Sequence, residues 1–327
     1  MVVRLVLFFF IVIPVTHAEV YVNNYYTEPP GRLVDIGGYQ LHISCLGKGS
    51  PTVILDAGIG GFSLDWISVQ RALADKVQVC AYDRAGYGWS DPGPSPRSTD
   101  RIVDELHRLL INAGLQPPYV LVGHSFGGYN VQYYAKLYPG ETAGLVLVDS
   151  SHPQQAERLP DIPAHREKTK GSKVVTLFRG QSSFKYYPED VLPLLMHVLS
   201  WRKMYITQRR EFISFTMSGD QVEHSGELPD MPLVVITRGK RVWPEDPYGN
   251  MLESVWSEMQ RELSNMTPSA RQIIALASDH LIHLEQPRTV ASAIMSVIED
   301  ARRRGEIAHC PVAPCPPGNR EGSNVNR

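Results

Sequence analysis

The chain has 327 residues, of which 43% are hydrophobic and 20% are charged, a balance that supports one globular domain and argues against a disordered or fibrous protein. Its 32 basic and 34 acidic residues leave a formal net charge of -2, so no overall positive field attracts nucleic acid or anionic lipid. We therefore expect a small-molecule substrate and no nucleic-acid partner.

The first 18 residues predict a secretory signal peptide. Arg4 precedes an unbroken apolar run over 5–15, and Thr16 and Ala18 are small residues on either side of His17, as at a cleavage site. A membrane-spanning helix needs about 20 apolar residues, which is more than this run provides. We expect cleavage near Ala18, a secreted or periplasmic protein and no stable membrane span afterwards. An uncleaved segment that anchors the protein to a membrane is the alternative.

The four cysteines fall into two groups. Cys310 and Cys315 enclose a short Pro-rich loop and are the favoured disulfide pair, because an exported protein meets oxidising conditions. Cys45 and Cys80 lie in apolar, strand-like runs. Their simplest interpretation is as small buried hydrophobic residues.

Taken in chain order, a polar lead-in segment over 19–32 precedes a main domain over 33–304. Within that domain, short β-branched runs alternate with amphipathic stretches, which is typical of helices packed on a mostly parallel sheet. Strands are predicted at 34–46 (a hairpin turning at Gly37-Gly38), 51–56, 77–82, 119–123, 145–148, 233–237 and 272–277, and helices at 64–76, 100–113, 129–138, 251–264 and 289–304. The segment 150–230 breaks this alternation and is predicted to be an inserted helical cap. Residues 305–327 are predicted to form a flexible C-terminal tail.

The strongest motif is GHSFG at 123–127, placed between a predicted strand and a predicted helix. A serine on such a sharp strand-to-helix turn has a strained backbone, and flanking glycines let the strand and helix approach closely. This context is the one that a nucleophile elbow requires. The motif therefore predicts Ser125 as a catalytic nucleophile.

A serine hydroxyl needs a histidine to accept its proton. Among the eleven histidines, His280 follows a late apolar strand, in a loop that would return to the edge of the sheet where Ser125 lies. His283 is more typical of a packing histidine, and His124 cannot easily turn onto the hydroxyl of its neighbour. We therefore predict His280 as the base.

Acyl transfer also needs backbone N–H groups aimed at the developing oxyanion. The amide of Phe126, directly after the candidate nucleophile, is the first. The second is predicted in the Gly-rich stretch 56–61, from Ile59 or alternatively Gly58. This stretch has no following Lys-Ser or Lys-Thr, which disfavours phosphate binding. The sequence contains no metal-binding motif, and no cofactor is required.

These motifs together resemble the α/β-hydrolase superfamily over about residues 33 to 304. The matching stretches are AGIGG at 57–61, YDRAGYGWSD at 82–91, GHSFG at 123–127 and HLIHLEQP at 280–287. The resemblance implies an α/β fold with a mostly parallel sheet of about eight strands flanked by helices and an inserted helical cap. It also implies a structural role for 83–91 and supports His280 as the catalytic histidine.

The position of the triad acid departs from the common pattern of the superfamily. Many members carry a Gly-x-x-Asp after the penultimate strand, where this chain reads GKRV at 239–242. Relatives such as haloalkane dehalogenases carry the acid at the end of the sixth strand, where this chain has Asp149. The resemblance therefore implies Asp149 as the acid, with Asp246 or Glu245 as alternatives. A competing interpretation makes Asp149 a helix-capping carboxylate.

The serine at the elbow also restricts the reaction, because relatives that open epoxides or remove halides use an Asp there. Ser125 thus predicts a serine hydrolase that cleaves a small carboxylic ester, a thioester or an amide through an acyl-enzyme. An acyltransferase or perhydrolase acting through the same triad is an alternative, and so is a non-catalytic hydrolase-like binding protein. The identity of the substrate stays open.

Overall fold

The computed structural model describes residues 28–159 and 181–307. Within them, eight strands form one sheet in the order β1-β2-β4-β3-β5-β6-β7-β8. The strands are Arg32–Asp35 (β1), Gln40–Leu46 (β2), Thr52–Asp56 (β3), Val79–Tyr82 (β4), Tyr119–His124 (β5), Thr142–Val148 (β6), Leu233–Arg238 (β7) and Arg271–Ala275 (β8). The β1–β2 hairpin and the β2–β4 pair are antiparallel, and the other pairs are parallel.

Helices fill most of the connections between the strands. They are Ile67–Leu73 (α1), Thr99–Asn112 (α2), Gly127–Leu137 (α3), Gln155–Arg158 (α4), Leu192–Leu199 (α5), Arg202–Ile213 (α6), Phe215–His224 (α7), Pro247–Leu263 (α8), Ile282–Glu285 (α9) and Pro287–Arg303 (α10), with short 3-10 turns at Ser63–Trp66, Pro139–Glu141 and Gln181–Tyr186. The predicted strands and helices of the main domain are confirmed to within a few residues. None of the helices in the described part of the chain is long and apolar enough to cross a membrane.

Both faces of the sheet are buried because the central strands carry apolar residues on both faces. On β3, Val53 and Leu55 pack on the face covered by α1 and α10, whereas Ile54 between them packs on the face covered by α2 and α3. The same alternation along β5 and β6 follows from the two-residue period of a strand. A parallel sheet covered on both sides is the expected result for such near-continuous apolar runs.

The segment between β6 and β7 contributes α4 to α7 and lies against the main domain. From α5, Leu195 and Val198 pack into one apolar cluster with Phe62 and Trp89 of the main domain and Leu284 of α9. The helices occur where the cap over 150–230 is predicted. Residues 160–180 of that segment lie outside the described residues.

The strand order defines where a ligand can bind. The chain runs from β3 to β4 on one side and then returns to place β5 on the other side of β3. Such a reversal opens a crevice at the carboxyl ends of the strands. The two loops that flank this crevice are the Gly-rich stretch after β3 and the turn after β5 that carries Ser125.

The structure corrects the interpretation of two cysteines. Cys45 of β2 and Cys80 of β4 face each other in the antiparallel register and form a disulfide, so the prediction of two separate buried residues was wrong. The pairing depends on β4 lying beside β2, which the sequence pattern did not reveal. The predicted Cys310–Cys315 pair, the signal peptide and most of the C-terminal tail lie outside the described residues.

Candidate active site

The turn after β5 holds Ser125 in a strained backbone conformation. Its φ of +52° lies in the left-handed region, which a residue with a side chain rarely adopts. A Cβ on Gly123 would lie 2.4 Å from the carbonyl oxygen of Gly127, and one on Gly127 would lie 2.4 Å from that of Asp56. The glycines of the motif are therefore required by close packing of β5, α3 and β3.

His280 lies in the loop between β8 and α9, with a quarter-exposed side chain. Its Nδ1 lies 2.7 Å from Oδ2 of Asp149, so Nδ1 carries the proton and Nε2 is the nitrogen able to accept one. The loop is held by two bonds of Asp279. Its amide donates to Oε2 of Glu285 over 3.3 Å, and its Oδ1 accepts from the amide of Leu281 over 3.1 Å.

Asp149 follows the last residue of β6 and is fully buried. Its backbone, like that of Ser125, has a positive φ, in this case +40°. Besides His280, the carboxylate accepts from the amide and Nη1 of Arg238 over 3.2 and 3.0 Å, and from Nε1 of Trp256 over 3.0 Å. The partners of this carboxylate are therefore Arg238, Trp256 and His280. They are not the free amides of a helix start, so the competing interpretation of Asp149 as a helix cap does not fit.

These donors determine the charge state of Asp149. Burial alone raises the pKa of a carboxyl. Here the hydrogen bond from His280, the charge of Arg238 and the hydrogen bond from Trp256 outweigh burial and lower the pKa of Asp149 to about 2. Asp149 is therefore an anion at neutral pH, as a group that stabilises an imidazolium must be.

The two alternative acids, Asp246 and Glu245, lie at the start of α8. Asp246 is the N-cap of α8, and its Oδ1 accepts from the amide of Gly249 over 2.7 Å. This bond satisfies one of the free amides of the first helical turn. Glu245 is exposed beside it. Of the three carboxylates considered from the sequence, Asp149 is the one that bonds to His280.

His124, next to Ser125, has a contact that the sequence did not suggest. Its Nε2 lies 2.8 Å from the carbonyl oxygen of His280, and because a carbonyl only accepts, Nε2 must carry a proton. Its ring also lies 4.7 Å from the ring of His280 and 4.2 Å from that of His283. His124 thus links the turn of Ser125 to the loop of His280.

The predicted oxyanion donors lie on both sides of Ser125. Phe126 is the N-cap directly before α3, and the first amides of a helix have no acceptor within the helix. On the other side, a Cβ on Gly58 would lie 3.1 Å from Cβ of Ser125. Gly58 therefore lies next to the serine, and Ile59 lines the same pocket.

A pocket lies over these residues. Its lining includes the candidate nucleophile and base, the two candidate loop donors and one buried acid: Gly58, Ile59, Gly61, Asp65, His124, Ser125, His280, Leu281, His283 and Leu284. Asp65 is nearly buried, and its Oδ1 accepts from the Tyr187 hydroxyl over 2.7 Å. Within the described residues, no group of three or more His, Cys, Asp or Glu side chains is placed to hold a metal ion.

Arg238 and Trp256 are the site residues that sequence reasoning missed. Arg238 is the last residue of β7 and directly precedes the stretch where many superfamily members carry their triad acid. This position is the one sequence signal that could have pointed to Arg238. Trp256 lies in the middle of α8, where an aromatic residue gives no sign of a role beyond packing.

Comparison with known proteins places the chain in a family. The model of the alpha/beta hydrolase family matches residues 53–293, most of the chain. The chain therefore belongs to the alpha/beta hydrolase family. A curated relative, the uncharacterized protein YqjL of Bacillus subtilis, is 27% identical over 251 residues, which cover 77% of this chain and 85% of that protein.

Solved structures support the same fold. A thermophilic esterase from Thermogutta terrifontis has a TM-score of 0.59 and 21% identity, with 80% of this chain and 94% of that chain covered. A mutant epoxide hydrolase from Bacillus megaterium has a TM-score of 0.61 and 16% identity, with 82% and 100% covered. At these identities the similarity shows the fold alone. It does not select a reaction.

Proposed function

We propose that the protein is a serine hydrolase that cleaves a small carboxylic ester, or a thioester or amide, through an acyl-enzyme on Ser125. The observation that carries this proposal is the 2.7 Å contact between His280 Nδ1 and Asp149 Oδ2, at a pocket that Ser125 and His280 both line. A serine at the elbow favours acyl chemistry over epoxide opening, because it forms an acyl-enzyme that water can hydrolyse.

In the proposed mechanism, Nε2 of His280 accepts the proton of Ser125 as Oγ attacks the substrate carbonyl. Asp149 holds the imidazole and stabilises its positive charge, and the amides of Phe126 and Ile59 donate to the oxyanion. Collapse of the tetrahedral intermediate expels the alcohol, which takes the proton from His280. Water then attacks the acyl-enzyme by the same steps and releases the acid.

Labelling with a fluorophosphonate probe tests this proposal without knowledge of the substrate. We expect the probe to modify Ser125, as mass spectrometry of the modified peptide would show, and labelling to be lost in Ser125→Ala and strongly slowed in His280→Ala. Ser264→Ala is the matched control, because Ser264 lies at the end of α8 with its hydroxyl bonded to the carbonyl of Arg261. Folded wild-type protein that does not react would instead favour a binding protein.

We also propose that the protein is exported. The predicted signal sequence and the Cys45–Cys80 disulfide support this location, because disulfides persist mainly in oxidising compartments. Mass analysis of the mature N-terminus tests it. We expect Glu19 as the first residue, and a protein that retains Met1 would support a membrane anchor instead.

A further inference from the structure

A buried carboxylate of the cap reaches the loop that carries the candidate oxyanion donors. Glu211 lies on α6 and is fully buried. Its Oε1 accepts from Nε of Arg84 over 2.8 Å, and its Oε2 accepts from Nη2 of Arg84 over 2.9 Å. The fork of the guanidinium thus pairs with both carboxylate oxygens, a geometry that fixes the orientation of both groups.

Arg84 in turn holds the oxyanion loop, defined here as residues 57–61. Nη1 donates to the carbonyl of Ala57 over 2.5 Å, and Nη2 donates to the carbonyl of Gly58 over 2.8 Å. In a trans peptide the N–H of the next residue points opposite to the carbonyl. The amides of Gly58 and Ile59 therefore point away from Arg84, and both residues line the pocket that contains Ser125.

Tyr87 provides a second connection between Glu211 and the same loop. Its hydroxyl accepts from the amide of Gly60 over 3.0 Å and donates to Oε2 of Glu211 over 2.8 Å. The Arg84 guanidinium lies 5.1 Å from the Tyr87 ring and 5.6 Å from the ring of Phe126. Arg84 thus contacts residues on both sides of the proposed oxyanion site.

The charge of Glu211 matters because Arg84 is buried. The guanidinium is 2% exposed, and a buried cation needs anions and a full set of acceptors. Asp56 is its other partner, with Oδ1 at 2.7 Å from Nη1, but Oδ2 of Asp56 also accepts from Tyr82 and Asn130. Without the carboxylate of Glu211, Arg84 would lose the bidentate acceptor that fixes its orientation against the loop.

We propose that Glu211 is a positioning residue for the oxyanion loop, which acts through Arg84 and Tyr87 to fix the direction of the Gly58 and Ile59 amides. This inference rests on the proposed serine hydrolase function. It gives the cap a part in transition-state stabilisation and not only in substrate selection. Misdirected donors would weaken binding of the oxyanion while leaving the ground-state substrate nearly unaffected.

The test compares Glu211→Gln with Glu105→Gln on an activated ester such as a p-nitrophenyl ester. Glu105 of α2 forms an equally buried pair with Arg97, at 2.6 and 2.7 Å, away from the pocket. We expect kcat of Glu211→Gln to fall about 10- to 100-fold, less than the full loss of a donor, with KM changed by less than about threefold. The inhibition constant of phenylboronic acid, which forms a tetrahedral serine adduct, should rise by a similar factor.

Glu105→Gln should lower thermal stability but keep kcat within about twofold of wild type. A Glu211→Gln enzyme with wild-type kcat, or with a raised KM as its only change, would overturn the inference. If that variant does not fold, Tyr87→Phe removes only the hydroxyl between Gly60 and Glu211, and an unchanged kcat would equally overturn it. A wild-type protein with neither esterase activity nor probe labelling would instead contradict the proposed function itself.

Discussion

Arg238 and Asp149 form a buried ion pair in which Nη1 of Arg238 lies 3.0 Å from the carboxylate oxygen that also accepts from His280. The guanidinium stacks on Trp243 and Trp256, with 4.8 and 4.6 Å to their ring centres. The candidate triad acid is therefore held by a cation from the neighbouring strand as well as by the candidate base. We expect this arrangement to affect the stability of the fold, the charge state of Asp149 and the rate of catalysis.

Replacing Arg238 with Met should destabilise the protein by about 3 kcal/mol, because it leaves a buried carboxylate with no cation beside it. The methionine keeps an apolar contact with the two tryptophans. Arg71→Met is the matched control, since Arg71 and Asp190 form an exposed pair worth at most about 1 kcal/mol. Urea denaturation measures both variants. Equal losses of unfolding free energy would show that the Arg238 pair contributes no more than a surface pair.

Replacing Asp149 with Asn should lower kcat on the order of 10³- to 10⁴-fold, since an amide can no longer hold the required His280 tautomer or stabilise its charge. Asp246→Asn serves as control. It should cost about 1 kcal/mol or less of stability through the cap of α8 and leave kcat unchanged. Steady-state kinetics of both variants on an activated ester test this prediction. A large loss of kcat in Asp246→Asn with wild-type kcat in Asp149→Asn would assign the triad acid to Asp246.

The low pKa of Asp149 predicts a specific dependence of stability on pH. Its folded-state pKa of about 2 is below the ordinary value of 3.8, so the carboxylate stabilises the fold above about pH 4 and loses this effect as the pH falls towards 2. We expect the unfolding free energy of wild type to fall about 1 kcal/mol more than that of Asp149→Asn between pH 6 and pH 3. Parallel curves for the two proteins would contradict the shift.

The Cys45–Cys80 disulfide closes a loop with a sequence separation of 35. A loop of this size should contribute about 3 to 4 kcal/mol to stability, mainly by restricting the unfolded chain. Peptide mapping without reduction should recover a linked peptide pair that contains both residues. Denaturation of a Cys45→Ala/Cys80→Ala variant measures the contribution. Linkage of either cysteine to Cys310 or Cys315 would contradict the structure.

The sequence alone predicted the α/β fold and the position of Ser125. Strands such as β5 are mostly apolar, and helices such as α2 repeat their apolar residues with helical spacing. Neighbours along the chain therefore suffice to identify them. The glycines around Ser125 are a similar local signal, because the turn itself requires residues without a Cβ. Local signals were not enough to predict Asp149 and His280. These two residues were chosen by the family resemblance and by their places at the ends of strands.

The tertiary structure decided which distant side chains meet. Arg238 lies 89 positions from Asp149, and Glu211 lies 127 positions from Arg84. Each pair forms only because the strand order and the packing of the cap bring separate segments to the same edge of the sheet. The same holds for Cys45 and Cys80, which face each other because β4 aligns beside β2. Residue type and local spacing determine turns, strands and helices, whereas a buried ion pair or a disulfide depends on how the whole sheet is assembled.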